Sequence, residues 1–363
     1  MKMPTRTPPM KNTRTRRGKI LRVSGILAVV VLTTLPPCRA ATLIVGVDSS
    51  GGTGARKEAY VFAPAQAGGW EITTTLGLTT ANSAKGAILD SSGNFYASNG
   101  GNIYKFDADL FSAGTGEFVP APTAITQTST TTSSLALDPS GTFYMGANGS
   151  IKKYTTNASG KLAASNILTS SGSQDSGGVT FGDVTALAFD ATGSTLYFVN
   201  YAGQNILKST WDSDGQTWSA ATVFSSSSVR GYGMAVDASG NLWIVAQSDG
   251  KIYRYDTDGA RTTFASLGAV NARGLTFDPV TGDLYISGGN PASGETPGSG
   301  FIYRYLMTAS GLNTTHDIIA SGLDATIWAV AVRSTIPEPT SCALLAAVAL
   351  FLFAAMHPRS RRS

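Results

Sequence analysis

Short apolar runs separated by polar turns make up most of the chain, and the stretch Gly233 to Asp256 shows the pattern most clearly. Its first apolar run ends in Asp237, and Gly240 follows three residues later. A second run, 242–246, begins almost at once, and a polar turn then leads to a third, 252–255. Aspartate at the first position and glycine at the fourth are typical of a type I turn. No run has the length or spacing of a helix, so the pattern predicts three strands joined by tight turns.

The same pattern occurs five times along the chain. Each copy has an aspartate after its first run and an aromatic residue in its second; the aspartates are Asp90, Asp138, Asp190, Asp237 and Asp278, and the aromatics are Tyr96, Tyr144, Tyr197, Trp243 and Tyr285. The fifth copy has one extra turn residue, so its turn is expected to differ. A period of 41 to 52 residues with several short strands predicts an all-β propeller. A solenoid or an array of β-sandwiches is the alternative, although a sandwich would not repeat one turn motif at this period.

Both ends of the repeat region contain strand-like runs that belong to no complete copy. Thr326–Val332 matches the first strand of a unit, Thr42–Val47 a second strand and Glu58–Phe62 a third. Together they predict a sixth blade closed by strands from both termini, which removes exposed sheet edges. The strand pattern resembles the NHL-repeat and gluconolactonase-like six-bladed propellers over residues 41–333, and the resemblance implies that fold.

Residues 1–40 have the composition of a targeting segment. They carry nine lysines and arginines and no acid, and an apolar run at 23–35 follows the first eight of these. This order predicts a secretory signal peptide with a short apolar helix, cleaved near Ala40. The pair Arg16-Arg17 leaves open whether export uses the general or the twin-arginine route.

The C-terminal segment, 334–363, has three parts in a fixed order. The motif Pro337-Glu338-Pro339 comes first, an uncharged span at 341–356 follows, and Arg359, Arg361 and Arg362 end the chain. This order resembles the PEP-CTERM sorting signal of bacterial exosortase substrates. The resemblance implies recognition by a membrane-embedded exosortase, a short transmembrane helix during sorting, and delivery to the cell surface or extracellular matrix. The basic end indicates that the motif lies on the outer side of the membrane. A plain single-span anchor is the alternative.

The positive net charge belongs to these two end segments. The chain has 27 basic and 23 acidic residues, a net charge of +4. Twelve of the basic residues and one acid lie in the end segments, which leaves 15 basic and 22 acidic residues and a charge of −7 in residues 41–333. A nucleic-acid partner is therefore excluded. The same region has no cysteine, so burial and strand pairing alone must stabilise it.

Candidate catalytic and cofactor residues are not found in the sequence. Of the two histidines, His357 lies in the tail and His316 stands alone in a polar stretch. The segments 212–215 and 256–259 resemble halves of a calcium loop but lack its remaining ligands, and a turn explains them better. The repeated aspartates have a sufficient role as turn residues. The repeated aromatics fit packing between blades better than a ring of sugar-stacking side chains. No metal site and no cofactor is predicted.

The sequence therefore predicts an exported propeller at the cell surface or in the extracellular matrix that binds a partner or has a structural role. Extracellular polysaccharide is the first candidate partner, because of the predicted location and not because of any particular residue. The alternative is an enzyme, a metal-dependent lactonase or related hydrolase. The resemblance to propeller lactonases implies a metal held by Glu, Asn and Asp at the channel mouth, but no residues of this sequence can be matched to those positions.

Overall fold

The computed structural model describes most of residues 42–334, which lie in one compact unit, 41–335. The described ranges are 42–48, 57–65, 68–78, 84–99, 102–109, 118–119, 124–125, 132–157, 161–169, 179, 181–247, 249–268, 270–289, 299–323 and 326–334. The predicted signal peptide and the predicted sorting motif with its apolar span lie outside these residues. No helix within these ranges is long and apolar enough to cross a membrane.

The described part of the chain is a β-propeller of mainly antiparallel sheets. Four sheets follow one another along the chain, each formed by four or more strands. They are β8 (Thr132–Leu137), β9 (Phe143–Ala147), β10 (Ser150–Thr156) and β11 (Leu162–Thr169); β12 (Val184–Phe189), β13 (Thr195–Asn200), β14 (Asn205–Asp212), β15 (Thr217–Trp218) and β16 (Thr222–Ser225); β17 (Gly231–Val236), β18 (Leu242–Ala246), β19 (Lys251–Tyr255) and β20 (Arg261–Ser266); and β21 (Asn271–Phe277), β22 (Leu284–Gly289), β23 (Gly300–Tyr305) and β26 (Asp317–Leu323). A small hairpin, β24 (Met307–Thr308) with β25 (Gly311–Leu312), lies between the last two of these strands in sequence.

The fifth large sheet joins the two ends of the repeat region. Its order is β27 (Ile327–Ser334), β1 (Thr42–Asp48), β2 (Lys57–Pro64), β3 (Trp70–Leu78) and the short β7 (Phe118–Val119). Strand β1 pairs with β27 from Thr42 opposite Ser334 onward, so a strand from each end closes the sheet, as the sequence predicted. A three-stranded sheet, β4 (Ala84–Leu89), β5 (Phe95–Asn99) and β6 (Asn102–Phe106), holds the first sequence repeat.

The repeated Asp-x-x-Gly turns have the geometry that their sequence predicted. In the opening example, the Gly240 amide donates to the Asp237 carbonyl at 2.9 Å, and Gly240 has a φ of 82°. A positive φ costs glycine little but costs any side chain with a Cβ more, which explains the residue type at this position. The fifth copy differs as expected, because its Gly282 amide donates to the carbonyl of Asp278 four residues back, not three.

The core consists of apolar clusters between neighbouring sheets. One cluster joins Tyr197 and Val199 of β13 to Ile244 of β18, and another joins Trp243 of β18 to Ile286 of β22. The recurring aromatics Tyr96, Tyr144, Tyr197, Trp243 and Tyr285 are all buried in such clusters. This confirms their predicted role in packing one sheet on the next.

Candidate functional site

A β-bulge occurs at the same position in each innermost strand, at one end of the central channel. In five of these strands one residue is left between paired neighbours; in β12 the gap holds Thr185 and Ala186. A bulge turns the side chain of its extra residue away from the regular pleat. We call the bulged positions whose side chains the structure describes the mouth ring: Lys85, Thr185, Tyr232, Arg273 and Trp328.

Small residues follow the bulges because neighbouring innermost strands approach closely there. A Cβ on Gly233 would lie 2.5 Å from the amide nitrogen of Leu275 and 2.7 Å from the carbonyl oxygen of Arg273. A Cβ on Gly274 would lie 2.8 Å from the amide nitrogen of Val330. Only glycine permits this spacing, and the spacing holds the bulged side chains near one another at the mouth.

Cationic and aromatic side chains alternate around much of this mouth. The Arg273 guanidinium lies between two rings, with its Cζ 4.2 Å from the ring centre of Tyr232 and 3.9 Å from that of Trp328. The ring centres of Tyr232 and Trp328 are 5.6 Å apart in an edge-to-face arrangement, and Lys85 Nζ lies 5.6 Å from the Trp328 ring. Such contacts orient a guanidinium and contribute about 0.5–2 kcal/mol each.

The aromatic row continues beyond the ring toward the next sheet. Tyr201 lies with its ring centre 5.6 Å from that of Tyr232, and the Arg230 guanidinium is 5.2 Å from the Tyr201 ring. Thr185 is tied differently, because its hydroxyl donates a 2.6 Å hydrogen bond to the Gly231 carbonyl. This bond joins β12 to β17 just beside the mouth.

The electrostatic balance at the mouth is positive. Burial lowers the pKa of Lys85 below its usual value of 10.5; the Asp183 carboxylate opposes this change and the Arg273 guanidinium adds to it. Burial also raises the pKa of Tyr232, which Arg273 opposes. Arg273 itself is only 7% exposed. Arg273 adds to the cost of keeping Lys85 charged in this half-buried place, and an added anion would reduce that cost.

The channel differs in size and chemistry at its two ends. Beneath the mouth ring lies a cavity of about 60 Å³ lined by Lys85, Tyr232, Trp328 and the small residues that follow the bulges. At the other end, a wider space of about 310 Å³ is lined mainly by apolar side chains such as Leu89, Phe189 and Phe277. The mouth therefore offers directional contacts to a small group, whereas the other end is wider and its side chains are mostly apolar.

The mouth does not suit a divalent metal. The lactonase resemblance implies Glu, Asn and Asp ligands there, but the ring carries Lys85 and Arg273, both of which would repel a cation. Among the described residues, no group of three or more His, Cys, Asp and Glu side chains could hold a metal ion. We therefore derive no chemistry through a metal at this mouth.

The sequence-based site predictions and the mouth ring do not overlap. The predicted sorting residues Pro337, Glu338, Pro339, Arg359, Arg361 and Arg362 lie outside the described residues. The ring was missed, although the sequence holds a signal for it. Lys85, Tyr232 and Arg273 each stand five residues before a repeated aspartate, as do Ser133 and Thr185. In a repeat protein, a position whose residue type varies while the rest of the repeat stays constant is a candidate functional position.

Comparison with known protein families identifies the family of this chain. Residues 60–290, more than half of the chain, match the family described as the SMP-30/Gluconolactonase/LRE-like region. The chain belongs to this family. No curated protein sequence matches the chain significantly.

Solved structures with little sequence identity share the propeller. A chain from a nidogen/laminin complex superposes with a TM-score of 0.54 at 12% identity, covering 80% of this chain and 98% of that one. A protein of unknown function from Bacteroides caccae gives a TM-score of 0.52 at 11% identity, covering 81% and 98%. One from Bacteroides thetaiotaomicron gives 0.51 at 14% identity, covering 80% and 71%. At these identities the likeness shows the fold alone.

Proposed function

We propose that this chain is a ligand-binding propeller whose ligand enters the channel at the mouth ring. The observation that carries the proposal is the bulge in each innermost strand, which gathers chemically varied side chains at one end of the channel. Bulges of this kind commonly lie next to binding sites, where they aim a side chain. The apolar clusters between sheets and the glycine contacts make the supporting scaffold rigid, as a binding site requires.

A thermal-shift screen with neutral sugars, sugar acids and lactones tests this proposal. Wild type is compared with Tyr232→Ala in the mouth ring and with Leu89→Ala at the opposite end of the channel. Ligand-dependent stabilisation that Tyr232→Ala removes and Leu89→Ala keeps is the expected result. Stabilisation that survives Tyr232→Ala and is lost in Leu89→Ala would assign the ligand to the apolar end instead.

Lactone hydrolysis is the second candidate function, and family membership favours it over a purely structural role. The match at 60–290 is to a family whose description includes gluconolactonase. The mouth ring supports such an activity only without a metal, because of Lys85 and Arg273. The test is hydrolysis of glucono-δ-lactone followed by pH-stat, with and without added divalent ions. Turnover that requires the added ion would contradict our account of the mouth.

We propose further that the propeller has six blades, with β4–β6 as the first. Strand β4 lies beside the innermost strand of the closing sheet: Ala329 and Ala331 of β27 pack in one cluster with Phe95 of β5. On its other side, Tyr96 of β5 packs with Leu135 of β8 and Phe143 of β9. These contacts support a blade between the closing sheet and the β8–β11 sheet. A crystal structure of residues 41–335 with five blades would contradict the proposal.

We also propose that the chain is exported and sorted by an exosortase-type enzyme, with the cell surface or extracellular matrix as its destination. The order of the Pro337-Glu338-Pro339 motif, uncharged span and terminal arginines supports this. Mass spectrometry of the mature protein from its native host is the test. The expected mass lacks the leader through Ala40 and ends near Pro339. A mature protein that extends through Ser363 would contradict sorting by this signal.

A further inference from the structure

The mouth ring has a charge that calls for an anionic ligand. Two cations, Lys85 and Arg273, lie within the ring, and a third, Arg230, is exposed beside it. Asp183 is the one acidic neighbour that acts on Lys85 among the described residues. This excess is unusual for the region, because residues 41–333 as a whole carry more acids than bases. The positive charge is therefore concentrated at one end of the channel.

The packing of Arg273 favours an anion that is planar. Its guanidinium has Tyr232 on one side at 4.2 Å and Trp328 on another at 3.9 Å, so the rings restrict its orientation. The N–H bonds of a guanidinium lie in its own plane and match the two oxygens of a carboxylate. Lys85, whose Nζ lies 5.6 Å from the Trp328 ring, supplies a second charge on the same side of the ring.

The size of the cavity limits what can enter. About 60 Å³ is far below the roughly 300–1,000 Å³ of pockets that enclose a whole drug-sized ligand. A carboxylate fits such a space, but a sugar ring does not. The rest of the ligand must then lie over the rim, where Tyr201 and Tyr232 present a row of half-buried rings. Aromatic rims bind molecules that combine apolar C–H faces with polar edges.

We propose that the mouth ring binds the carboxylate of a hexuronic acid, either as a free sugar or as a residue of an acidic polysaccharide. Lys85, which lines the cavity, binds the carboxylate, Arg273 adds positive charge beside Lys85, and the tyrosine rim contacts the pyranose. This inference rests on the proposed function, since it names the ligand class of the same site. It differs from the family resemblance, which implies a metal at this place.

Titration calorimetry with four probes tests the inference. The probes are glucuronate, glucose as its neutral match, an alginate oligosaccharide and a neutral dextran oligosaccharide. Wild type is expected to bind glucuronate and not glucose. Binding of glucuronate alone indicates a free sugar acid, whereas tighter binding of alginate indicates the polysaccharide. Equal binding of charged and neutral probes, or no binding of any of them, would overturn the proposal that the mouth ring binds a carboxylate.

Variants separate this inference from the proposed function. Lys85→Met keeps the stem of a half-buried side chain and removes its charge, and it is expected to weaken glucuronate binding about tenfold. Lys251→Met, at a lysine on β19 whose side chain is 42% exposed, is the matched control and is expected to change nothing. Arg273→Lys is a second test, with circular dichroism to check folding. A different outcome would keep the proposed binding site but reject a carboxylate ligand. In that outcome a neutral sugar binds, Tyr232→Ala abolishes its binding, and Lys85→Met has no effect on it.

Discussion

The indole Nε1 of Trp243 donates a hydrogen bond of 2.8 Å to the Oδ2 atom of Asp237. The repeated aspartate and the repeated aromatic of this copy are therefore one unit, which joins the turn to the next buried strand. The first copy has the same relationship, with the Tyr96 hydroxyl donating to Asp90 at 3.0 Å. The sequence pattern indicates separate roles for the two residues, in the turn and in packing, but the structure shows that they are hydrogen-bonded to each other.

Asp237→Ala is expected to destabilise the propeller by about 2–4 kcal/mol. The carboxylate accepts hydrogen bonds from the amides of Ser239 and Asn241, from the Asn241 side chain and from Trp243, and truncation leaves these donors without an acceptor. Urea denaturation gives the free energy of unfolding. Asp258→Ala, an exposed turn residue, is the control and should stay within about 0.5 kcal/mol. Equal losses in both variants would contradict this role for Asp237.

Tyr96→Phe is expected to cost about 1–1.5 kcal/mol, because it removes only the hydroxyl that donates to Asp90. Tyr197→Phe is the matched control in the third copy. One more residue separates Asp190 from Tyr197 than separates Asp90 from Tyr96, and Asp190 accepts hydrogen bonds from Thr192, Ser194 and Thr195. The loss of unfolding free energy should therefore be smaller in Tyr197→Phe than in Tyr96→Phe. A larger loss in Tyr197→Phe than in Tyr96→Phe would show that the spacing does not decide the bond.

The stability of the fold should decrease at acidic pH. Burial alone would raise the pKa of Asp90, but hydrogen bonds from Asn94 and Tyr96 lower it below its usual value of 3.8, and those from Thr195, Thr192 and Ser194 do the same for Asp190. A carboxyl group with a lowered pKa in the fold contributes stability above pH 3.8, and that contribution is lost as the pH falls through the folded value. Urea midpoints measured between pH 7 and pH 2 check this.

Asp190→Asn should make stability depend less on pH, because it removes one of the two carboxyl groups named above whose pKa is lowered. The variant should lose stability at pH 7 and differ less from wild type at pH 2. An identical pH profile in variant and wild type would show that other carboxyl groups cause the acid sensitivity.

The strand pattern and the turns could be predicted from the sequence because both depend on local residue types. Alternating apolar runs located the strands, and the Asp-x-x-Gly spacing located turns such as Asp237–Gly240, where glycine adopts a positive φ. The pairing of β1 with β27 could be predicted because neither end run had a partner in its own copy. These features need no knowledge of distant contacts.

The mouth ring could not be predicted in the same way, because a bulge is a property of two paired strands. The constant spacing to the repeated aspartates marks the positions of Lys85 and Arg273, but it does not show that a bulge forms there. Their meeting with Trp328 also depends on residues that are far apart in the chain. The third copy also has an extra turn residue, before Tyr197, and this can be read from the sequence.

Gly233→Ala is expected to destabilise the propeller by about 1–3 kcal/mol and to weaken ligand binding at the mouth. The new Cβ would lie 2.5–2.7 Å from backbone atoms of β21, so β17 must move away from it and Tyr232 from Arg273. Gly182→Ala is the control, since its Cβ would meet only the Ala202 side chain, at 3.0 Å. Thermal unfolding and glucuronate titration check both effects. Unchanged binding in Gly233→Ala would show that the strand spacing does not set the mouth geometry.

Glucuronate binding should weaken as the pH rises, and at a lower pH than an ordinary lysine would require. Burial and Arg273 lower the pKa of Lys85 below 10.5, with Asp183 opposing, so its charge is lost below that value in the free protein. A bound carboxylate stabilises the protonated amine and raises its pKa, which means that binding takes up a proton and is favoured at lower pH. Arg273 stays charged throughout, and the pKa of Tyr232 is raised. Titrations between pH 6 and pH 10 measure the effect, and Lys85→Met should bind more weakly with little pH dependence. An affinity in wild type that rises with pH would contradict the role of Lys85.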